Sequence, residues 1–285
     1  MISSSFVFFG SPKFAKIILE KLEENNIIPS ILICNPDKPF GRKHVITPPP
    51  TKEFVIKKNL PIKIFQPNSK EDLVKLFKSG EIPENKFAVV AAYSKIIPKE
   101  VIDFFPLKIV GVHPSLLPAY RGASPIQNAI LNGDKIFGTS IFLIDEKTDH
   151  GPILAQETID LSDKLPNYEE LEKTLASSSA NLLIRNLPLF AENKITPSPQ
   201  DEFKATYTKK FKTEDGFVDL RKDNPELVFR KIKSLNPEPG VYAIINEKRI
   251  KLIDVIKISD NNFVITKIQP EGKKVQSADL KLPLN

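Results

Sequence analysis

The sequence predicts an α/β protein in two parts: a Rossmann-like N-terminal domain with a parallel-rich sheet over residues 1–193, and a small C-terminal β-barrel over 207–285. Three observations carry this expectation. Short apolar runs alternate with helix-like segments through the first part, the pattern of a parallel sheet with helices on both faces. A polar stretch with two prolines, Pro197 and Pro199, then interrupts the alternation as a linker over 194–206. Past it, short strand-like runs separated by turn-rich pieces take over, as in small barrels.

Strands are expected at 6–9, 30–34, 62–65, 87–91, 108–113, 138–144 and 153–159. Each is a brief apolar run bounded by turn or helix signals. Helices are expected between them at 12–25, 50–59, 70–79, 98–104 and 123–132. Ser11-Pro12 and Ser69 are good helix starts, because a small hydroxyl can cap the first turn and proline fits its first position. A longer helix over 168–192 closes the domain, with a break expected at Pro188, which has no N–H to donate. After the linker, a helix over 225–235 precedes strands at 241–245, 249–258 and 263–268.

Composition narrows the class. No stretch approaches the roughly 20 apolar residues of a membrane span. The N-terminus lacks a basic segment followed by an apolar one, so a cytoplasmic protein is expected. The lone cysteine, Cys34, ends the apolar run Ile31-Leu32-Ile33 and reads as a buried, inert thiol. The net charge is +6, and residues 201–285 carry 17 Lys+Arg against 13 Asp+Glu. That basic lean suits a phosphate backbone, although a lysine-rich soluble surface reads the same way.

Several motifs bear on chemistry. Gly10-Ser11-Pro12-Lys13-Phe14 follows the first strand, but it is not Gly-x-Gly-x-x-Gly, and its proline and phenylalanine exclude a dinucleotide site. It reads as a structural turn. The loop from Pro36 to His44 places Lys38, Arg42, Lys43 and His44 around Gly41, a pattern that fits a solvated loop and an RNA contact equally. Residues 91–98 read as an ordinary strand-to-helix connection. The three histidines, His44, His113 and His150, lie at no metal-ligand spacing, and His150 reads as a solvent-facing loop residue.

His113 is the exception. It ends an apolar strand, a Pro-Ser-Leu-Leu-Pro turn fixes the backbone beyond it, and Asp149 falls in a loop after another strand. Ligands of open α/β sheets sit outside the carboxyl ends of the strands. Two such loops can bring His113 and Asp149 together, giving an imidazole whose tautomer a carboxylate sets.

These residues carry a family resemblance. His113-Pro114-Ser115-Leu116-Leu117-Pro118, followed by Arg121-Gly122, and the later Asp145, Asp149 and Gly151 resemble the signature of folate-dependent formyltransferases. The segments 9–15, 35–42, 207–210, 235–240 and 269–274 resemble the methionyl-tRNA formyltransferases in particular, so the resemblance runs from about residue 5 to the end. It implies a formyltransferase domain with a C-terminal tRNA-gripping barrel. It implies transfer of a formyl group from the co-substrate 10-formyltetrahydrofolate to the amine of initiator methionyl-tRNA, for translation initiation, by a monomer with no metal. His113 would move the proton and Asp149 would orient it. Ser115, Leu116, Leu117 and Pro118 would line the folate, joined by Tyr93 and Ser94. Arg42 and Lys43 would meet the acceptor stem, and composition adds Lys209, Lys210, Arg249 and Lys251.

One position departs from the pattern. The family places an Asn two residues before the histidine, and this chain has Gly111. An amide there would donate to the oxyanion of the tetrahedral intermediate, and losing one such donor commonly costs about a hundredfold. Backbone N–H groups, a water, Ser94 and protonated His113 are the candidate substitutes. The rival readings are therefore a catalytically weakened tRNA- or folate-binding homologue, and a formyltransferase for an amino sugar or glycinamide ribonucleotide.

Overall fold

The computed structural model describes residues 6–41, 44–162, 165–259 and 262–282. In chain order, the first elements are β1 (Val7–Phe9), α1 (Lys13–Glu24), β2 (Ile31–Ile33), β3 (Lys38–Phe40), β4 (Val45–Thr47), α2 (Pro50–Lys57) and β5 (Lys63–Phe65). They continue as α3 (Lys70–Lys78), β6 (Ala88–Ala91), α4 (Lys99–Ile102), β7 (Ile109–His113), β8 (Arg121–Gly122), α5 (Pro125–Asn132), β9 (Ile136–Leu143) and β10 (Ile153–Asp160). After these come α6 (Tyr168–Ala191), β11 (Tyr207–Thr208), α7 (Pro225–Leu235), β12 (Val241–Ile245), β13 (Lys248–Ser259), β14 (Asn262–Pro270) and β15 (Gln276–Leu282).

The seven expected strands of the first part form one sheet in the order β10-β9-β7-β6-β1-β2-β5. β1 pairs parallel with β2 and β6, and the parallel ladder extends to β5 and β7. The order reverses between β1 and β6, which makes the crevice beyond their carboxyl ends a natural ligand position. β9 runs antiparallel to β7. β1, β2 and β7 are buried along their whole length, as strands covered on both faces must be.

Helix α1 buries Phe14, Ala15, Ile18, Leu19 and Leu22, an i, i+4 stripe. Burying each large apolar side chain is worth about 1.5–3 kcal/mol. Ser69 caps α3 as expected, accepting from Asp72 N at 3.0 Å. Ser11 does not cap α1: its hydroxyl accepts from Asn35 N instead, at 2.8 Å, and so ties the β1 turn to the end of β2. Pro188 does not break α6, which runs through it to Ala191. Leu182, Leu183, Leu187 and Phe190 are buried around it, and this packing holds the helix despite the missing donor.

Two compact units are present, and the division is not a single cut. The first holds 1–121, 138–158 and 173–206, and the second holds 122–137, 159–172 and 207–285. In the second, β12, β13, β14 and β15 pair in sequence as an antiparallel sheet. Register shifts along β13 and β14 bend it. Helix α7 is capped by Asn224 and sets Val228, Phe229, Ile232 and Leu235 into the core with Val241, Leu252 and Phe263. Among the described residues, no helix is long and apolar enough to cross a membrane.

Candidate active site

His113 stands at the carboxyl end of β7 and is only 5% exposed. Asp149 lies in the loop between β9 and β10, and its Oδ2 is 3.6 Å from His113 Nδ1. The two residues expected to meet therefore do so. At that separation they form an ion pair when the ring is charged, but not a hydrogen bond. The ring is held from its other side, where Nε2 lies 2.8 Å from the carbonyl of Tyr120. A carbonyl can only accept, so the proton sits on Nε2. The tautomer is thus set by the Tyr120 backbone and not, as the sequence suggested, by the carboxylate.

This tautomer has a chemical consequence. The neutral ring keeps its lone pair on Nδ1, on the side of Asp149. A proton taken up there creates a cation facing a carboxylate, which stabilises the charged ring as it forms. Tyr120, which supplies this acceptor, has a left-handed backbone, with φ +60. A main-chain carbonyl leaves no mark in sequence, so Tyr120 was not legible as a site residue.

The turn after His113 is braced from β9 and β10. Ser140 Oγ donates to Ser115 O at 2.6 Å and accepts from Leu117 N at 3.0 Å. Gln156 Nε2 donates to Leu117 O at 2.9 Å and to Ser140 Oγ at 2.8 Å. Ser115 Oγ donates to Ala119 O at 2.6 Å, and both Ser115 and Leu117 are buried. Their side chains are spent inside the turn, whereas Leu116 and Pro118 remain partly exposed. Ser140 and Gln156 escaped the sequence reading because they look like ordinary strand residues.

Beyond β6, Tyr93 packs edge-on against Phe9, with ring centroids 5.5 Å apart. Burial pushes its phenol up to about 12, and its hydroxyl has no partner among the described residues. Ser94 Oγ donates to Asn35 Oδ1 at 3.3 Å and accepts from Asn35 Nδ2 at 3.1 Å. Gly10 is needed for close packing, since a Cβ there would lie 2.7 Å from Ala15 Cβ and 2.8 Å from Ala91 O. The Gly10-Ser11-Pro12 turn is structural, as expected.

His150 corrects its reading. It is not a free loop residue: Nδ1 is 2.6 Å from Asp145 Oδ2, and Nε2 is 3.5 Å from Glu202 Oε1. The loop expected at 36–44 is a two-stranded ribbon of β3 and β4, with Lys38 opposite Thr47. Arg42 and Lys43, between the two strands in sequence, lie outside the described residues. Asp37 at its base is held by Lys52 Nζ at 2.8 Å and Gln66 Nε2 at 2.8 Å. In the second unit Lys209, Lys210 and Lys251 are exposed. Arg249 is not extended toward solvent, because its guanidinium stacks 3.7 Å above the Tyr242 ring. Among the described residues no cluster of His, Cys, Asp or Glu could hold a metal ion.

A mostly parallel sheet with a histidine–carboxylate pair at its carboxyl edge, followed by an antiparallel sheet unit, defines the class. Residues 4–187 match the family model of formyl transferases, and residues 210–263 match that of the formyl transferase C-terminal domain. The chain belongs to the methionyl-tRNA formyltransferase family. It is 37% identical over 294 residues to the methionyl-tRNA formyltransferase of Campylobacter lari, covering 96% of this chain and 94% of that one. It is 34% identical over 297 residues to that of Dictyoglomus thermophilum, covering 94% and 93%.

Solved structures agree on the fold. A methionyl-tRNA formyltransferase from Clostridium thermocellum superimposes with a TM-score of 0.61 at 19% identity, covering 97% of this chain and 99% of that one. An N-formyltransferase from Helicobacter canadensis, in complex with folinic acid and dTDP-3-aminofucose, reaches 0.63 at 17% identity with the same coverage. One fold thus serves RNA and sugar enzymes alike, so the acceptor must be argued from sequence and site.

Proposed function

We propose that the chain transfers the formyl group of 10-formyltetrahydrofolate to the amino group of methionyl-initiator tRNA in the cytoplasm, as a step of translation initiation. The observation that carries this reading is the His113–Asp149 pair at the sheet's carboxyl edge, within a chain related to methionyl-tRNA formyltransferases along nearly its whole length. The methionyl amine attacks the formyl carbon, His113 Nδ1 takes the amine's proton, and the bond from the formyl carbon to N10 then breaks, with that proton passed to N10 so that tetrahydrofolate leaves. Asp149 stabilises the resulting imidazolium. The turn 115–118, with Tyr93 and Ser94, flanks the folate. Residues 1–193 form the catalytic part, 194–206 the linker, and 207–285 grips tRNA together with Arg42 and Lys43, with Lys209 and Lys210 facing RNA. Folate is a co-substrate, no metal takes part, and the protein works as a monomer.

A second reading, a catalytically weakened homologue, is favoured by one observation: Gly111 offers no side-chain donor to an oxyanion. One experiment addresses both. Purified protein is given 10-formyltetrahydrofolate with methionyl-tRNA, an amino-sugar nucleotide or glycinamide ribonucleotide. Turnover with the tRNA alone is expected, and His113→Ala or Asp149→Ala should lower it by about a hundredfold or more while tRNA affinity holds. Preference for a sugar or ribonucleotide acceptor would overturn the tRNA assignment. No turnover with any acceptor would establish the weakened homologue.

A further inference from the structure

We propose that Gln200 is a positioning residue for the acid–base pair, and that the segment from Gln200 to Thr206 sets the separation of His113 and Asp149. The inference rests on the reading of that pair as the proton-transfer centre. Gln200 lies in the stretch that sequence marks only as a linker. Its Nε2 donates to Asp149 O at 2.9 Å and to Gly151 O at 2.7 Å. Its Oε1 accepts from Arg121 Nε at 3.1 Å and Nη2 at 2.8 Å.

All four positions of the amide are therefore used. Arg121 can only donate and the two carbonyls can only accept, so the amide has one workable orientation. Arg121 is itself fixed: its side chain is 0% exposed. Glu202 accepts from its Nη1 at 3.0 Å and Nη2 at 2.6 Å.

What Gln200 grips is a backbone that needs gripping. Asp149 has φ +48, a left-handed conformation that an aspartate keeps only when its surroundings hold it. Gly151 turns the loop back on β9 so closely that a Cβ there would lie 1.8 Å from Leu143 O. Clamping the carbonyls of residues 149 and 151 therefore fixes the carboxylate's approach to the ring.

The same segment governs the other side of the imidazole. Thr206 Oγ1 accepts from Tyr120 N at 2.8 Å, Thr206 O accepts from Arg121 N at 2.8 Å, and Thr206 N donates to Pro118 O at 3.3 Å. Tyr120 presents the carbonyl that holds Nε2. Gln200 thus controls the carboxylate that faces Nδ1, and Thr206 controls the carbonyl that accepts from Nε2. Neither is hydrogen-bonded to the ring.

The test uses the full chain with Gln200→Glu, Gln200→Leu and Thr206→Val, and His113→Ala as reference. Glutamate keeps the length and the acceptor for Arg121, but a carboxylate donates nothing to the two carbonyls. Displacing catalytic groups by about 1 Å can cost on the order of a hundredfold. We expect kcat to fall about tenfold or more in both Gln200 variants and in Thr206→Val, with KM for methionyl-tRNA within about twofold. The 15N signals of the His113 ring should move as well, while Thr206→Ser keeps its hydroxyl and stays near wild-type kcat. Wild-type turnover in His113→Ala would overturn the reading of the pair itself. A collapse in His113→Ala, with wild-type kcat and unmoved ring signals in Gln200→Glu, would overturn the positioning role alone. If neither Gln200 variant folds, Thr206→Val decides, and wild-type kcat there rejects the clamp.

Discussion

Gly111 and Phe142 are paired across the β7–β9 ladder, and a Cβ on Gly111 would lie 2.6 and 2.7 Å from Cε1 and Cζ of the Phe142 ring. Ile144 Cγ1 would be 3.1 Å away. The ring is 3% exposed and occupies the space a side chain at 111 would need. Gly111 lies inside a regular strand, so the obstacle to asparagine is this ring and not a left-handed backbone. A residue two positions before His113 shares its face of the strand, which places the exchange of an amide for a ring beside the candidate site.

Gly111→Asn alone should therefore overpack the ladder, lowering stability by about 1–3 kcal/mol and slowing formyl transfer. Leucine lacks the two distal ring atoms that a Cβ would strike. In Gly111→Asn/Phe142→Leu the two changes should couple favourably by about 0.5–3 kcal/mol, with transfer faster than in Gly111→Asn. Thermal melts and kcat for the four members of the cycle measure this. Strictly additive losses would show that the ring is not what excludes asparagine.

The Glu202 carboxylate is held below its ordinary value of 4.5, first by the hydrogen bond from Arg121 and then by that residue's charge. A depressed carboxyl stabilises the folded chain above its unfolded value, and the contribution is lost as pH falls through the folded one. Glu202→Gln should therefore flatten the loss of stability below pH 4.5. The side chain is 53% exposed, so the effect is a modest one. Identical acid limbs in urea titrations of the two proteins would remove Glu202 from the acid response.

Cys34 is fully buried, and burial pushes its thiol from 9.0 up to about 12. Thiolate is the form that alkylates, and it is nearly absent at any working pH. Iodoacetamide should leave the native protein unmodified and label it at the rate of an ordinary cysteine once denaturant unfolds it. Rapid labelling in buffer alone would contradict the burial.

How far the sequence carried the fold depended on whether each signal was local. β7, β9 and α1 were legible because apolar period and flanking turns are written within a dozen residues. The ribbon of β3 and β4 was hidden by prolines and charge. β15 was hidden by its polar run, Gln276-Ser277-Ala278-Asp279, which suits an outer strand but reads as loop. Pro188 misled because tertiary packing outweighed its local cost. At the site, His113 and Asp149 were legible by residue type. Tyr120, Gln156 and Gln200 act through main-chain carbonyls or support them, so only the folded chain shows their roles. Phe142 was illegible for a different reason, since its meaning depends on a glycine 31 positions away in sequence but opposite it in the sheet.

The ribbon's tip offers the sharpest separation of RNA binding from folate chemistry. Its base is fixed by Lys52 and Gln66 on Asp37, and Arg42 follows Gly41 in the sequence between its two strands. A guanidinium there can pair bidentately with a phosphate or a base edge. Each phosphate contact released on mutation should shallow the salt dependence of tRNA binding by about one unit of log–log slope. Arg42→Ala should raise KM for methionyl-tRNA about tenfold or more and leave KM for 10-formyltetrahydrofolate within about twofold. Raising salt should weaken the wild type in the same direction and the variant less steeply. If Arg42→Ala shows wild-type KM for tRNA and the wild-type salt slope, the ribbon does not meet the acceptor stem, and the RNA must be gripped elsewhere.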